Sequence, residues 1–189
     1  MAKAMIRQGG RSARIQEAVH KAVRELLVDT ARAELTVPMV AERAGIPPST
    51  IYRRWGDLSE VLADVAAERM RPQAEPVDTG AARSDVEAWA EQYAEEMSSP
   101  VGREMLNDLF VRSGENVYSG RCCEYTRQQL GVLAERSAAR GEGGFSVDEV
   151  VDRVVSPIVY HILFGDRVIT PEYGRSLVDA VDSLPRPKG

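Results

Sequence analysis

Thr36-Val-Pro-Met-Val-Ala-Glu-Arg-Ala-Gly45-Ile-Pro-Pro-Ser-Thr50-Ile-Tyr-Arg-Arg-Trp55 is the stretch whose reading decides the fold. Thr36 can cap a short helix through Val37, Val40, Ala41 and Ala44, and Gly45 tolerates the left-handed backbone that ends it. Pro47-Pro48 can open a second helix, because proline fits a first helical turn whose N–H groups have no intrahelical partner. Trp55 and Gly56 close it. Small Ala41 lets the two helices approach, and Val40 and Ile51 can lock them together. Two short helices joined by so tight a turn have the build of a helix-turn-helix, whose second helix enters the major groove of DNA. Pro48, Ser49, Thr50, Arg53 and Arg54 are then presented outward. An arginine can donate two hydrogen bonds to guanine O6 and N7, and a threonine methyl can touch a thymine methyl. Tyr52 can bring its hydroxyl to a phosphate oxygen.

Working outward, residues before Ser12 read as a loose basic arm hinged at Gly9-Gly10. Ser12 is the expected cap of a helix carrying Ile15, Ala18, Val19, Ala22, Val23, Leu26 and Leu27 at helical spacing. After the motif, Asp57 caps a helix with Leu58, Val61, Leu62, Val65 and Met70. Arg71 to Gly80, with Pro72 and Pro76, reads as an internal linker. Val86, Trp89, Tyr93 and Met97 then share one helical face, and Pro100 opens a helix with Val101, Met105, Leu109 and Phe110. A long helix from about Ser119 to Arg140 ends at a glycine-rich turn over 141–144. Ser146 starts a strongly apolar helix. Thr170-Pro171 starts the last, with Tyr173, Leu177, Val181 and Leu184 in register. No segment reads as a strand and no repeat is found. The pattern predicts an all-α protein of about nine helices. Residues 1–56 are expected to form the basic arm and a three-helix DNA-binding domain, 57–71 a connecting helix, and 72–189 a helical domain whose residues, taken up below, point to ligand binding and dimerisation.

Charge follows the same division. Through Gly56 the chain carries ten Lys and Arg against five Asp and Glu; the remainder carries 14 against 24, for a net charge of -5 over 189 residues. A basic head on an acidic body directs only the head to a polyanion. No apolar run approaches the roughly 18 residues that span a bilayer, and no signal peptide opens the chain, so a cytoplasmic location is expected. The two cysteines, Cys122 and Cys123, are adjacent and point about 100° apart on a helix, which disfavours an ordinary disulfide. Whether they sense redox state is left open.

From residue 12 to about 65 the chain resembles the DNA-binding domain of the TetR family of transcriptional regulators. The family pattern of Ala-x-x-Ala-Gly-(Val/Ile) followed by Thr-(Ile/Leu)-Tyr-x-x-(Phe/Trp) stands here as Ala41 to Ile46 and Thr50 to Trp55. The resemblance implies that Thr36, Ser49 and Tyr52 contact the DNA backbone while Pro48, Thr50, Arg53 and Arg54 face the bases. A looser likeness to one subgroup runs through Pro100-Val-Gly, Arg140-Gly-Glu and Pro157-Ile-Val-Tyr. Two positions depart from the pattern. Leu58 stands where the family places a phosphate-binding lysine, and Pro38 replaces a polar base-contacting residue.

In the body, Val147, Val150, Val151, Val154, Val155, Ile158, Val159, Ile162 and Leu163 leave one helix apolar nearly all round, so it must be buried on more than one side. The last helix offers a matching stripe. In the TetR family the final two helices form a four-helix dimer interface, which here implies Val151, Val155, Ile158, Ile162, Leu177 and Val181. Pro157 removes the bond to the Arg153 carbonyl and should kink its helix. Trp89, Tyr93, Met97, Met105, Phe110, Tyr125, Tyr160 and His161 combine apolar bodies with polar tips, which suits a small-molecule cavity. The expected partners are double-stranded operator DNA, a second copy of the chain and an unidentified small-molecule effector, with no membrane, cofactor or metal.

Two other readings stay open. A DNA-binding dimer without an effector would carry the same head on a fully packed body. A helical enzyme would need a site that His20 and His161, the only histidines, do not form by metal-ligand spacing. The segment Gly141-Glu-Gly-Gly follows a helix and is not a dinucleotide fingerprint.

Overall fold

The computed structural model describes residues 8–110, 117–165 and 167–185, and every regular element among them is helical. They form two compact units, the first ending at Val65 and the second beginning at Ala66. The boundary falls inside a helix, so it coincides with neither edge of the 57–71 connecting helix expected from sequence.

The first unit opens with α1 (Gln8–Asp29), followed by a 3-10 turn at Arg32–Glu34, α2 (Val37–Ala44) and α3 (Pro48–Trp55). It closes on the start of α4 (Leu58–Arg69). Ser12 is not the cap of α1. Over the described residues the helix runs from Gln8 through Gly9-Gly10, so this pair is no hinge. Glycine in a helix interior costs about 1 kcal/mol against alanine, a penalty the long amphipathic helix that follows can carry. The remainder of the arm, Lys3 and Arg7 included, lies outside the described residues. Val19, Val23, Val40, Ile51 and Val61 are wholly buried together and make the core of this unit. Each such side chain contributes roughly 1.5–3 kcal/mol over an exposed one.

The second unit takes the end of α4, then α5 (Ala82–Ser98), α6 (Pro100–Phe110) and α7 (Val117–Ala139). A continuous helical run follows: α8 (Val147–Val150), a π turn (Val151–Val155) and α9 (Ser156–Phe164). The unit ends with α10 (Pro171–Leu177) and a 3-10 turn at Val178–Ala180. Counting that run once, the described residues hold nine α-helices and no strand. Its core joins Val86, Leu130, Leu133, Val154, Ile158 and Val178. None of the helices among the described residues is long and apolar enough to cross a membrane.

Pro157 disrupts its helix in a specific way. One residue upstream, the Ser156 N–H bonds to the Val151 carbonyl, and the Ser156 hydroxyl donates to the same oxygen at 2.9 Å. The wide π turn places the missing proline N–H where the ladder is already shifted. The last helix is shorter than its stripe predicts. After Ala180 the chain turns extended at Val181, and the N–H groups of Asp182 and Ser183 donate to the Glu149 carboxylate at 3.0 Å each. A side-chain acceptor thus takes the place of the carbonyls of a continuing helix, and Val181 and Leu184 reach the core from an irregular segment.

The 71–80 segment is no bare linker. Arg136 donates to the Pro76 carbonyl at 2.7 Å and to Glu75 at 2.8 Å, while Arg140 bonds Asp78 and the buried Asp85. These arginines on or just after α7 strap the segment onto the second unit.

Candidate functional site

In the first unit, short-range chemistry fixes the helix-turn-helix. The Thr36 hydroxyl accepts from the Met39 N–H, capping α2. Gly45 takes φ 67°, its N–H bonds Glu42 and the Ile46 N–H reaches back to Ala41, which is the Schellman arrangement. Gly56, at φ 89°, ends α3, and Asp57 caps α4 by accepting from the Glu60 N–H at 3.0 Å.

Ile51 and Trp55 point α3 into the core. Trp55 is held by a buried polar network that sequence reasoning missed. Its indole N–H donates to Asp64 at 2.9 Å; the same carboxylate oxygen lies 2.9 Å from His20 Nε2 and accepts from Gln16. Asp64 and His20 are each 3% exposed, and between them these four residues tie α1, α3 and α4. The available signal was Asp64 itself, a charged residue inside the inward-facing run Val61 to Ala67.

With that face fixed, Pro48, Ser49, Tyr52 and Arg53 are exposed and Thr50 is half-buried. Arg54, also exposed, has partners within the unit. It donates to the Ser12 carbonyl at 2.6 Å and to Gln16 at 3.1 Å, and its guanidinium lies over the Trp55 ring. It braces α3 against α1 while remaining exposed at the surface. Leu58 packs half-buried against the core of this unit, and Pro38 is exposed in the first turn of α2.

The second unit contains a cavity of about 570 Å³ bounded by the end of α4, the 71–77 strap, α5, α6 and α7. It brings together Trp89, Tyr93, Met97, Met105 and Tyr125, five of the eight residues that the sequence singled out. Phe110, Tyr160 and His161 do not line it. Phe110 is exposed at the end of α6; Tyr160 and His161 lie on α9, among a different set of rings. Trp89 and Tyr93 stack at 5.0 Å, one turn apart on α5, and the Trp89 N–H donates to Gln129 on α7 at 2.9 Å. Cys122 also lines the cavity, and burial pushes its thiol up to about 12, so it is a neutral group there. Its neighbour Cys123 is exposed. Periodicity could not single out Cys122, because buried and outward cysteines look alike in sequence.

The expected dimer-interface residues divide. Ile158, Ile162 and Val181 are buried within the single chain (0%, 6% and 1% exposed), so they serve the unit's own core. Val151, Val155 and Leu177 are half-buried at the edge of that core. On α9 and the turn after it, the exposed apolar groups are instead Tyr160, Phe164 and Val168. Tyr160 packs at 4.6 Å on Phe164 and edge-on to His161, which meets Tyr173 at 5.8 Å.

The fold and these features define a two-unit, all-helical protein of the helix-turn-helix kind. The profile of the tetracycline repressor-like C-terminal domain matches residues 76–181, more than half of the sequence, and the chain belongs to this TetR family. Among known proteins it is similar to the HTH-type transcriptional regulator YdeS of Bacillus subtilis, with 27% identity over 173 residues covering 86% of this chain and 87% of that one. It is similar also to the HTH-type transcriptional regulator AqdR of Rhodococcus erythropolis, with 25% identity over 142 residues covering 75% and 68%. Of solved structures, the TetR family transcription regulator SCO0332 superposes with a TM-score of 0.67 at 20% identity, covering 90% of this chain and 98% of its own. FadR from Bacillus subtilis, in complex with stearoyl-CoA, gives 0.52 at 13% identity, covering 92% and 99%.

Proposed function

We propose that the protein is a homodimeric transcriptional repressor that grips a roughly palindromic operator with two copies of α3 and releases it when a small molecule fills the α5–α7 cavity. The carrying observation is the outward face of α3. Ser49, Tyr52 and Arg53 are exposed there while Trp55 and Arg54 anchor the helix. A rigidly held helix with a bidentate donor at its surface can discriminate guanine in the major groove. Thr36, Pro48, Ser49, Thr50 and Tyr52 supply the surrounding backbone and base contacts, and the site of action is the cytoplasm, where the DNA is.

Coupling to the cavity has a covalent route. α4 begins in the first unit, and its last residue, Arg69, and the following Met70 line the cavity. A ligand that prefers one placement of that end shifts the population of DNA-competent dimers. Linkage then requires operator DNA to weaken ligand binding by the same factor by which ligand weakens DNA binding.

The test is selection of bound duplexes from a random pool with the full chain. Recovery of a roughly palindromic site, lost with Arg53→Ala, supports the proposal. Equal retention of unrelated sequences overturns it.

A further inference from the structure

The lining of the cavity sorts sharply by charge. Its four charged residues, Arg69, Arg71, Glu75 and Glu96, are all solvent-exposed, whereas every buried or half-buried lining residue is uncharged. Arg71 and Glu75 are moreover already paired, with Glu68 at 3.2 Å and Arg136 at 2.8 Å. A ligand seated in the interior would therefore meet no countercharge, and an ionised group taken there would lose its hydration without replacement.

The interior is shaped for rings. Trp89 is fixed by its hydrogen bond to Gln129, which itself donates to the Ala74 carbonyl of the strap at 3.4 Å. Trp89 and Tyr93 are already stacked on one another, a preorganised pair on which a further ring can continue the stack, and Met97 and Met105 offer polarisable thioethers that adapt to an aromatic edge. Polar matching comes from hydroxyls. Those of Tyr93, Tyr125 and Thr126 make no hydrogen bond among the described residues. Burial raises the Tyr93 hydroxyl above its ordinary range, so it stays protonated and can donate.

We propose that this cavity takes an uncharged, planar aromatic molecule of about two or three fused rings bearing a carbonyl-type acceptor, a size suited to a drug-sized pocket. The inference rests on the cavity being the effector site and adds the chemical class of its occupant.

Calorimetry at pH 7 on the full chain, free of DNA, compares three probes. 2-Naphthamide and 2-naphthoate share a shape and differ in charge, while octanamide keeps the neutral amide without the rings. The expected result is 2-naphthamide binding at least about tenfold more tightly than either other probe. Tyr93→Phe should weaken 2-naphthamide about fivefold with an unchanged melting temperature, because the hydroxyl bonds nothing in the free protein. Naphthoate or octanamide binding as tightly as naphthamide, or no binding by any probe, overturns the class. An unchanged affinity in Tyr93→Phe overturns the acceptor contact. The effector role is read separately, on duplexes selected from the random pool. Selective naphthamide binding that leaves DNA affinity untouched keeps the ligand class and removes the effector role. DNA release by a charged or aliphatic compound does the reverse.

Discussion

Arg53 and Arg54 are sequence neighbours with opposite employments. Arg53 is exposed on the outer face of α3, whereas Arg54 is spent on Ser12, Gln16 and the Trp55 ring. Arg53→Ala should cost roughly 1–3 kcal/mol of operator affinity and relax preference at one base position, leaving thermal stability unchanged. Arg54→Ala should lower the melting temperature of the protein first; equal stability of the two variants would refute this division. Leu58 poses a related question at the start of α4, where the family pattern has a lysine. Its half-buried packing can be kept by a lysine stem with the ammonium reaching solvent. If that helix start lies beside the phosphates, Leu58→Lys should tighten binding to any duplex and steepen the salt dependence by about 0.9 per head. An unchanged slope in a salt titration would remove Leu58 from the backbone. The Asp64 network shows the limit of reading residues singly. His20 is an isolated histidine in sequence, and only the fold brings Gln16, Trp55 and Asp64 around it.

At the scale of elements, caps and turns were legible because their chemistry is local. Thr36, Gly45, Asp57, Ser146 and Thr170 each act within a few residues of themselves. The end of α10 was not, since Glu149, distant in sequence, takes the N–H groups that follow it. α10 lies on α5 so closely that a Cβ at Gly174 would meet the Ala90 carbonyl oxygen at 2.5 Å and Ala94 Cβ at 2.8 Å. Gly174→Ala, favourable by helix propensity, should therefore destabilise the second unit by about 1–3 kcal/mol in denaturant melts. A more stable variant would show that α10 can move away freely. The strap and the C-terminal segment hang on two carboxylates. Burial alone would raise Asp85, but the Thr79 hydrogen bonds and Arg140 together hold it below its ordinary value. Glu149 is likewise lowered, mainly by Ser183. Both folded values lie below the unfolded ones, so their stabilisation is present above the ordinary carboxylate range and is lost as pH falls through the folded values. Melting in the acid range should fall less steeply for Asp85→Asn than for the parent, from a lower starting stability. Parallel slopes would mean that Asp85 does not contribute.

For the whole molecule, assembly is the property the single chain leaves to surface chemistry. An aspartate at Ile158 or Val181 would disrupt the unit's own core, so it cannot report on dimerisation. Phe164 can, because it is 64% exposed beside Tyr160. If this apolar face is the contact between two copies, Phe164→Asp should yield folded monomers at micromolar concentration in sedimentation, with the secondary structure of the parent. A variant that sediments like the parent would place the interface elsewhere.

By itself the sequence determined the helical class, the helix-turn-helix and its outward residues, and five walls of the cavity. Each of these is written in periodicity, capping or residue type, which act over one or two helical turns. Tertiary structure alone decided which of two adjacent arginines braces α3 against α1, and that the apolar stripe of Ile158 and Val181 turns inward. It also made the 71–80 segment a wall of the second unit. Those outcomes depend on pairings between residues far apart in sequence, such as Arg54 with Ser12, 42 positions away, and Arg136 with Glu75, 61 away. A hydrophobic pattern states that a side chain must be buried, but not against which surface, and a charged one carries no mark of its partner.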